Sequence, residues 1–80
     1  MINLETESKL SIEEITKRAK SFFGKGGLGL EIVDESTECL NFTGGGGFVN
    51  VVICPTEGKN RVELQTQEWE QPVKQFASKI

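Results

Sequence analysis

Four consecutive glycines, Gly44 to Gly47, separate two strand-like runs, and few shapes can accommodate that arrangement. Phe48 to Ile53 is β-branched or aromatic at nearly every position, which suits a strand buried on at least one face. Before the glycines, Leu40 and Phe42 alternate with Cys39, Asn41 and Thr43, the period-two pattern of a half-buried strand. Glycine takes positive φ without steric cost, so the run predicts a hairpin turn. With Gly44 to Gly47 as the loop, Thr43 faces Phe48, Phe42 faces Val49 and Leu40 faces Val51. A slip of one residue would set Asn50 against Leu40 and waste the apolar face.

A glycine run can also cradle phosphate. That chemistry needs backbone N–H groups turned towards an anion, usually ahead of a helix N-terminus. Here a strand follows, there is no Gly-Lys-Ser/Thr ending, and no lysine or arginine stands nearby. The run therefore reads as a flexible hairpin tip.

The chain has 80 residues, which predicts a single domain over 1–80. A domain of this size buries only about 60% of the surface of its unfolded chain, so the core is thin. There is no histidine, which removes the commonest general base and metal ligand and every Ser-His or Cys-His arrangement. Two cysteines, Cys39 and Cys54, are too few for a disulfide scaffold and poor zinc ligands without histidine. No metal or other cofactor is expected. The net charge of −3 argues against non-specific nucleic-acid binding and against docking on anionic membranes. No apolar run is long enough to span a bilayer, so a cytoplasmic location is expected.

Taken in order, Met1 to Thr6 alternates and reads as a short edge strand, or else as a frayed terminus. Ser11 followed by Glu14 is a capping box, with Leu10 and Ile15 as a hydrophobic staple. Ile12, Ile15, Ala19, Phe22 and Phe23 share one helical face, and Gly24 stops the helix. Lys17, Arg18 and Lys20, balanced by Glu13 and Glu14, read as a solvated face. Leu28 to Ile32 alternates and predicts a strand with Leu28, Leu30 and Ile32 inward. Asp34 to Thr37 is turn chemistry, as is Pro55 to Asn60. Arg61 to Gln67 predicts the last strand, with Val62 and Leu64 inward. Trp69, Val73, Phe76, Ala77 and Ile80 then form a helical stripe, with Pro72 in its first turn and Trp69 packing on the core.

These elements predict an α+β two-layer sandwich, (β)-α-β-β-β-β-α: an antiparallel sheet of four to five strands with two helices on one face. That order resembles one repeat of the TATA-binding-protein-like fold, or a shortened helix-grip domain. The segment from Gly44 to Ile53, followed by Arg61 to Trp69, is similar to small prokaryotic domains of that shape. The resemblance is topological and carries no functional residues across. TATA-binding protein grips DNA with basic and apolar side chains on its sheet, whereas Glu31 and Glu63 would stand there in this chain.

The face turned away from the helices is where a function is expected. On the register above it holds Cys39, Asn41, Phe48, Asn50, Val52, Cys54 and Gln65, with Gly29, Glu31, Val33, Thr43, Glu63 and Gln67 around them. Val33, Phe48, Val52 and the two cysteines form an apolar centre with a polar rim. Cys39 and Cys54 are one diagonal step apart, about 7–8 Å, which is long for a disulfide. This face suggests a non-catalytic interaction module that takes a second copy or a protein partner. The alternative is a small-molecule site on the sheet, or between sheet and helices, using Asn41, Asn50 and Gln65. An enzyme with a cysteine nucleophile ranks below both, because neither cysteine has a cation beside it in sequence.

Overall fold

The computed structural model describes residues 2–36 and 38–80. Met1 of the expected edge strand and Thr37 of the expected turn lie outside them. The elements are β1 (Ile2–Ser8), α1 (Ile12–Phe23), β2 (Glu31–Glu35), β3 (Cys39–Gly44), β4 (Gly47–Thr56), β5 (Lys59–Gln67) and α2 (Glu70–Lys79). They form an α+β fold around one five-stranded antiparallel sheet, ordered β1-β5-β4-β3-β2. The chain thus starts at one edge, crosses to the other through α1, and returns strand by strand to pair β5 with β1.

The central hairpin has the expected register. Thr43 faces Phe48, Phe42 faces Val49 and Leu40 faces Val51. The turn is tighter than expected, because Gly44 itself pairs with Gly47. Only Gly45 and Gly46 turn the chain, with φ of 59° and 83°, as a two-residue primed turn requires. Nor is the tip loose. The Trp69 indole N–H donates to the Gly44 carbonyl at 3.0 Å, and its ring lies against Gly45. Gly47 is crowded from the other side: a Cβ there would stand 2.1 Å from the Gln67 carbonyl oxygen. The glycines are dictated by close approach as much as by backbone freedom.

α1 begins as its sequence dictates. Ser11 is the N-cap, and its hydroxyl accepts from the Glu14 N–H at 3.1 Å. Ile15, Ala19 and Phe23 are its buried stripe. α2 starts abruptly: Gln67 ends β5, Glu68 takes a left-handed φ of 76°, and Trp69 caps the helix. Both helices pack on the same sheet face. Phe23 joins the layers, its ring 5.1 Å from Phe76 and 5.5 Å from Phe42, centroid to centroid. Leu40, Val49, Val51, Ile53, Val62, Leu64 and Val73 complete the core around it. Two buried hydroxyls are satisfied: Thr66 donates to the Phe48 carbonyl at 2.7 Å, and Ser8 donates to the Ile80 carbonyl at 2.9 Å.

Other expectations need correction as well. The strand placed over Leu28 to Ile32 lies at Glu31–Glu35, so Asp34 and Glu35 are strand rather than turn. The chain leaving α1 first folds back on it, with Leu28 N–H donating to the Phe22 carbonyl and Leu30 N–H to that of Phe23. Of the three residues expected inward, Leu30 is buried, but Leu28 is 39% exposed and Ile32, on an edge strand, 41%. Val33 is not near the middle of the sheet. It is the extra residue of a bulge in β2 and is 61% exposed. The loop expected over Pro55 to Asn60 is a tight hairpin too, with Thr56 paired to Lys59 across Glu57 and Gly58. Pro55 is tolerated within β4 because that strand outruns β3, whose ladder ends at Cys39 opposite Val52.

Candidate functional site

The uncovered face can be laid out from the registers alone. Asn3 on β1 stands opposite Gln65 on β5, Gln65 opposite Asn50 on β4, Asn50 opposite Asn41 on β3, and Asn41 opposite Asp34 on β2. Four carboxamides and a carboxylate thus cross the whole sheet in one row. On one side runs the row Gln67, Phe48, Thr43 and Glu31. On the other run Glu5, Glu63, Val52 and Cys39, and beyond them Glu7, Arg61 and Cys54.

All seven residues singled out from the sequence, Cys39, Asn41, Phe48, Asn50, Val52, Cys54 and Gln65, therefore share this face. The first six are half-buried and Gln65 is exposed. Phe48 and Val52 lie on the central strand, with the amide of Asn50 between them. Sequence reasoning missed Asn3 and Asp34, the two ends of the amide row. The alternation of β1 contained the signal for Asn3, but its pairing partner was not readable. Asp34 was hidden by the turn-like composition around it.

The thiols are free. Cys39 sits opposite Val52 with its sulfur 3.8 Å from the Asn41 side-chain oxygen. Cys54 stands directly opposite Arg61. Folding thus supplies the cation that neither cysteine has beside it in sequence. The Arg61 guanidinium is held above its ordinary pKa first by the Cys54 sulfur, then by the charges of Glu5 and Glu63. It also pairs with the Glu63 carboxylate at 3.4 Å, while 42% of its side chain meets solvent.

A depression of about 370 Å³ lies over the β1–β5 pair, lined by Asn3, Leu4, Glu5, Glu63, Leu64 and Gln65. Glu5 and Glu63 face each other directly across it. A larger open groove of about 650 Å³ runs between α1 and the end of β2, past Ile12, Thr16 and Ser36. An ion pair of Lys20 with Glu35 crosses that groove, which lies on the helix side of the sheet. The interlayer space, where a small ligand was also envisaged, is filled by the fully buried side chains of the core.

Among the described residues, no three cysteine, aspartate or glutamate side chains gather as a metal site. No helix among them is long and apolar enough to cross a membrane. In comparison with known proteins, the chain matches no family model and none of the curated proteins.

Proposed function

We propose that this chain is a small, non-catalytic, cytoplasmic interaction module that docks a protein, either a partner or a second copy, through the uncovered sheet face. The observation that carries this reading is the asymmetry of the sheet. Two helices cover one face, while the other carries Phe48 and Val52 on its central strand, one on each side of the cross-sheet amide row, with charged side chains around them. Half-buried apolar side chains set among polar ones, on a face that nothing covers, suit a protein interface. The cross-sheet amides suit such a contact, since each carries donors and an acceptor and can pair with either kind of group.

Light scattering over a range of concentrations, on the wild type and on Val52→Lys, tests this. Self-association through the face gives a dimer that Val52→Lys returns to monomer. A heterologous partner leaves a monomer that depletes a protein from lysate, again lost in Val52→Lys. A monomer that retains nothing, or a variant that behaves as wild type, counts against the reading.

The second reading is a small-molecule site in the depression over β1 and β5, where Asn3 and Gln65 offer amides beside two carboxylates. Its mark would be a rise in melting temperature with one member of a metabolite panel, in a chain that stays monomeric.

A further inference from the structure

The charges of the chain are not spread evenly over its two sides. The uncovered face carries five acidic side chains, Glu5, Glu7, Glu31, Asp34 and Glu63, against two basic ones, Arg61 and, at the hairpin end, Lys59. The rest of the chain holds seven acidic and seven basic side chains. The whole net charge of −3 therefore resides on the one face that no element covers. Within it, Glu5 stands directly opposite Glu63, an arrangement that strand pairs avoid because like charges repel there. Arg61, which pairs with Glu63, is the one base set among these acids.

From this distribution we infer that the occupant of the face is a cationic protein surface, with apolar side chains over Phe48 and Val52 and lysines or arginines over Glu5 and Glu63. The inference rests on the interaction-module reading and makes it specific. A second copy stacked face to face would set one face of charge −3 against another, with no basic cluster to answer Glu5 and Glu63. A basic partner completes the neutralisation that Arg61 begins at Glu5 and Glu63, and opposite potentials also steer its approach. A free polyamine would satisfy the carboxylates but leave Phe48 and Val52 wet.

The test is an NMR titration of the isotopically labelled chain with three probes: a peptide alternating valine and lysine, its valine–glutamate counterpart, and spermine. The lysine peptide is expected to shift the backbone signals of Asn50, Val52 and Glu63 saturably. Its affinity should fall about tenfold between about 50 and about 300 mM NaCl, as screening shortens the reach of exposed charges. The double variant Glu5→Gln/Glu63→Gln should lose about fivefold or more while melting within a few degrees of wild type, and the glutamate peptide should leave the face unshifted. Equal binding of the glutamate peptide, equal binding of spermine, shifts confined to the helix side, or an unaffected double variant would each overturn the inference. A dimer by light scattering that Val52→Lys dissolves would also overturn it while leaving the module reading intact. Face signals that no probe moves, in a chain that stays monomeric and retains no protein, would remove both.

Discussion

Replacing Gly47 by alanine separates two reasons a chain can need glycine. At Gly46 the reason is conformation: φ is 83°, and a Cβ there would meet nothing within 4 Å. Left-handed backbone costs alanine about 1–2 kcal/mol, partly offset by about 0.4–1 kcal/mol from a stiffer unfolded chain. Gly46→Ala should therefore destabilise by about 1 kcal/mol. At Gly47 the reason is space. The Cβ would stand 2.1 Å from the Gln67 carbonyl oxygen and 2.6 Å from Glu68 Cβ, so β4 and the end of β5 must move apart. Forced overpacking costs about 1–3 kcal/mol, and backbone that cannot swing aside puts this site at the upper end. For a domain of this size each kcal/mol lowers the melting temperature by about 4–8 °C. Gly47→Ala should thus melt roughly 12–24 °C below wild type, and Gly46→Ala about 4–8 °C below. Circular dichroism melts and urea titrations read both. If Gly47→Ala is no worse than Gly46→Ala, the strand ends are not packed as described, and the hairpin tip is as loose as a bare glycine run suggests.

Other consequences are simpler to check. Ser11→Ala removes the cap of α1 and should cost about 1 kcal/mol in chemical denaturation, with Ser11→Asp close to wild type. Trp69→Phe keeps a ring over Gly45 but removes the indole N–H that donates to the Gly44 carbonyl, for a loss of about 0.5–1.5 kcal/mol in the same assay. Val52→Lys lies on the uncovered face beside Glu63, so its melting temperature should stay within about 4 °C of wild type. A large loss there would mean that Val52 belongs to the core rather than to a docking surface.

The hairpin register was legible because two period-two runs met at a turn, which left one alignment that kept both apolar sets together. The cap at Ser11 was legible because its signal is local. β2 was not, and the reason is specific. Leu28-Gly29-Leu30-Glu31-Ile32 alternates as well as any strand, yet Gly29 takes a left-handed φ of 81° and hydrogen bonds return the segment to α1. Periodicity reports which side chains could share a face and is blind to where the backbone bonds go. Most of the seven face residues followed from the β3–β4 hairpin, Gln65 followed from its alternation with the inward Val62 and Leu64, and all were found together. Asn3, Glu5 and Glu7 joined them only through the pairing of β1 with β5, a contact between opposite ends of the sequence that no local pattern encodes. The guanidinium beside Cys54 depended likewise on the β4–β5 register.

That same pairing has a kinetic side. Ile2 lies opposite Thr66, whereas the β3–β4 and β4–β5 turns each close over two residues. Hairpins of that kind form in about 1–10 μs, and loop-closure entropy delays contacts between distant segments. β1 is therefore the last strand of the sheet to find its place, waiting until β5 has been made. Glu5 and Glu7 suit that interval, because charge on a strand with open edges discourages pairing with other chains. Pulse-labelled hydrogen exchange during refolding should find the β3 and β4 amides protected before those of β1. Earlier protection of β1 would mean that the ends of the chain meet before its middle is built.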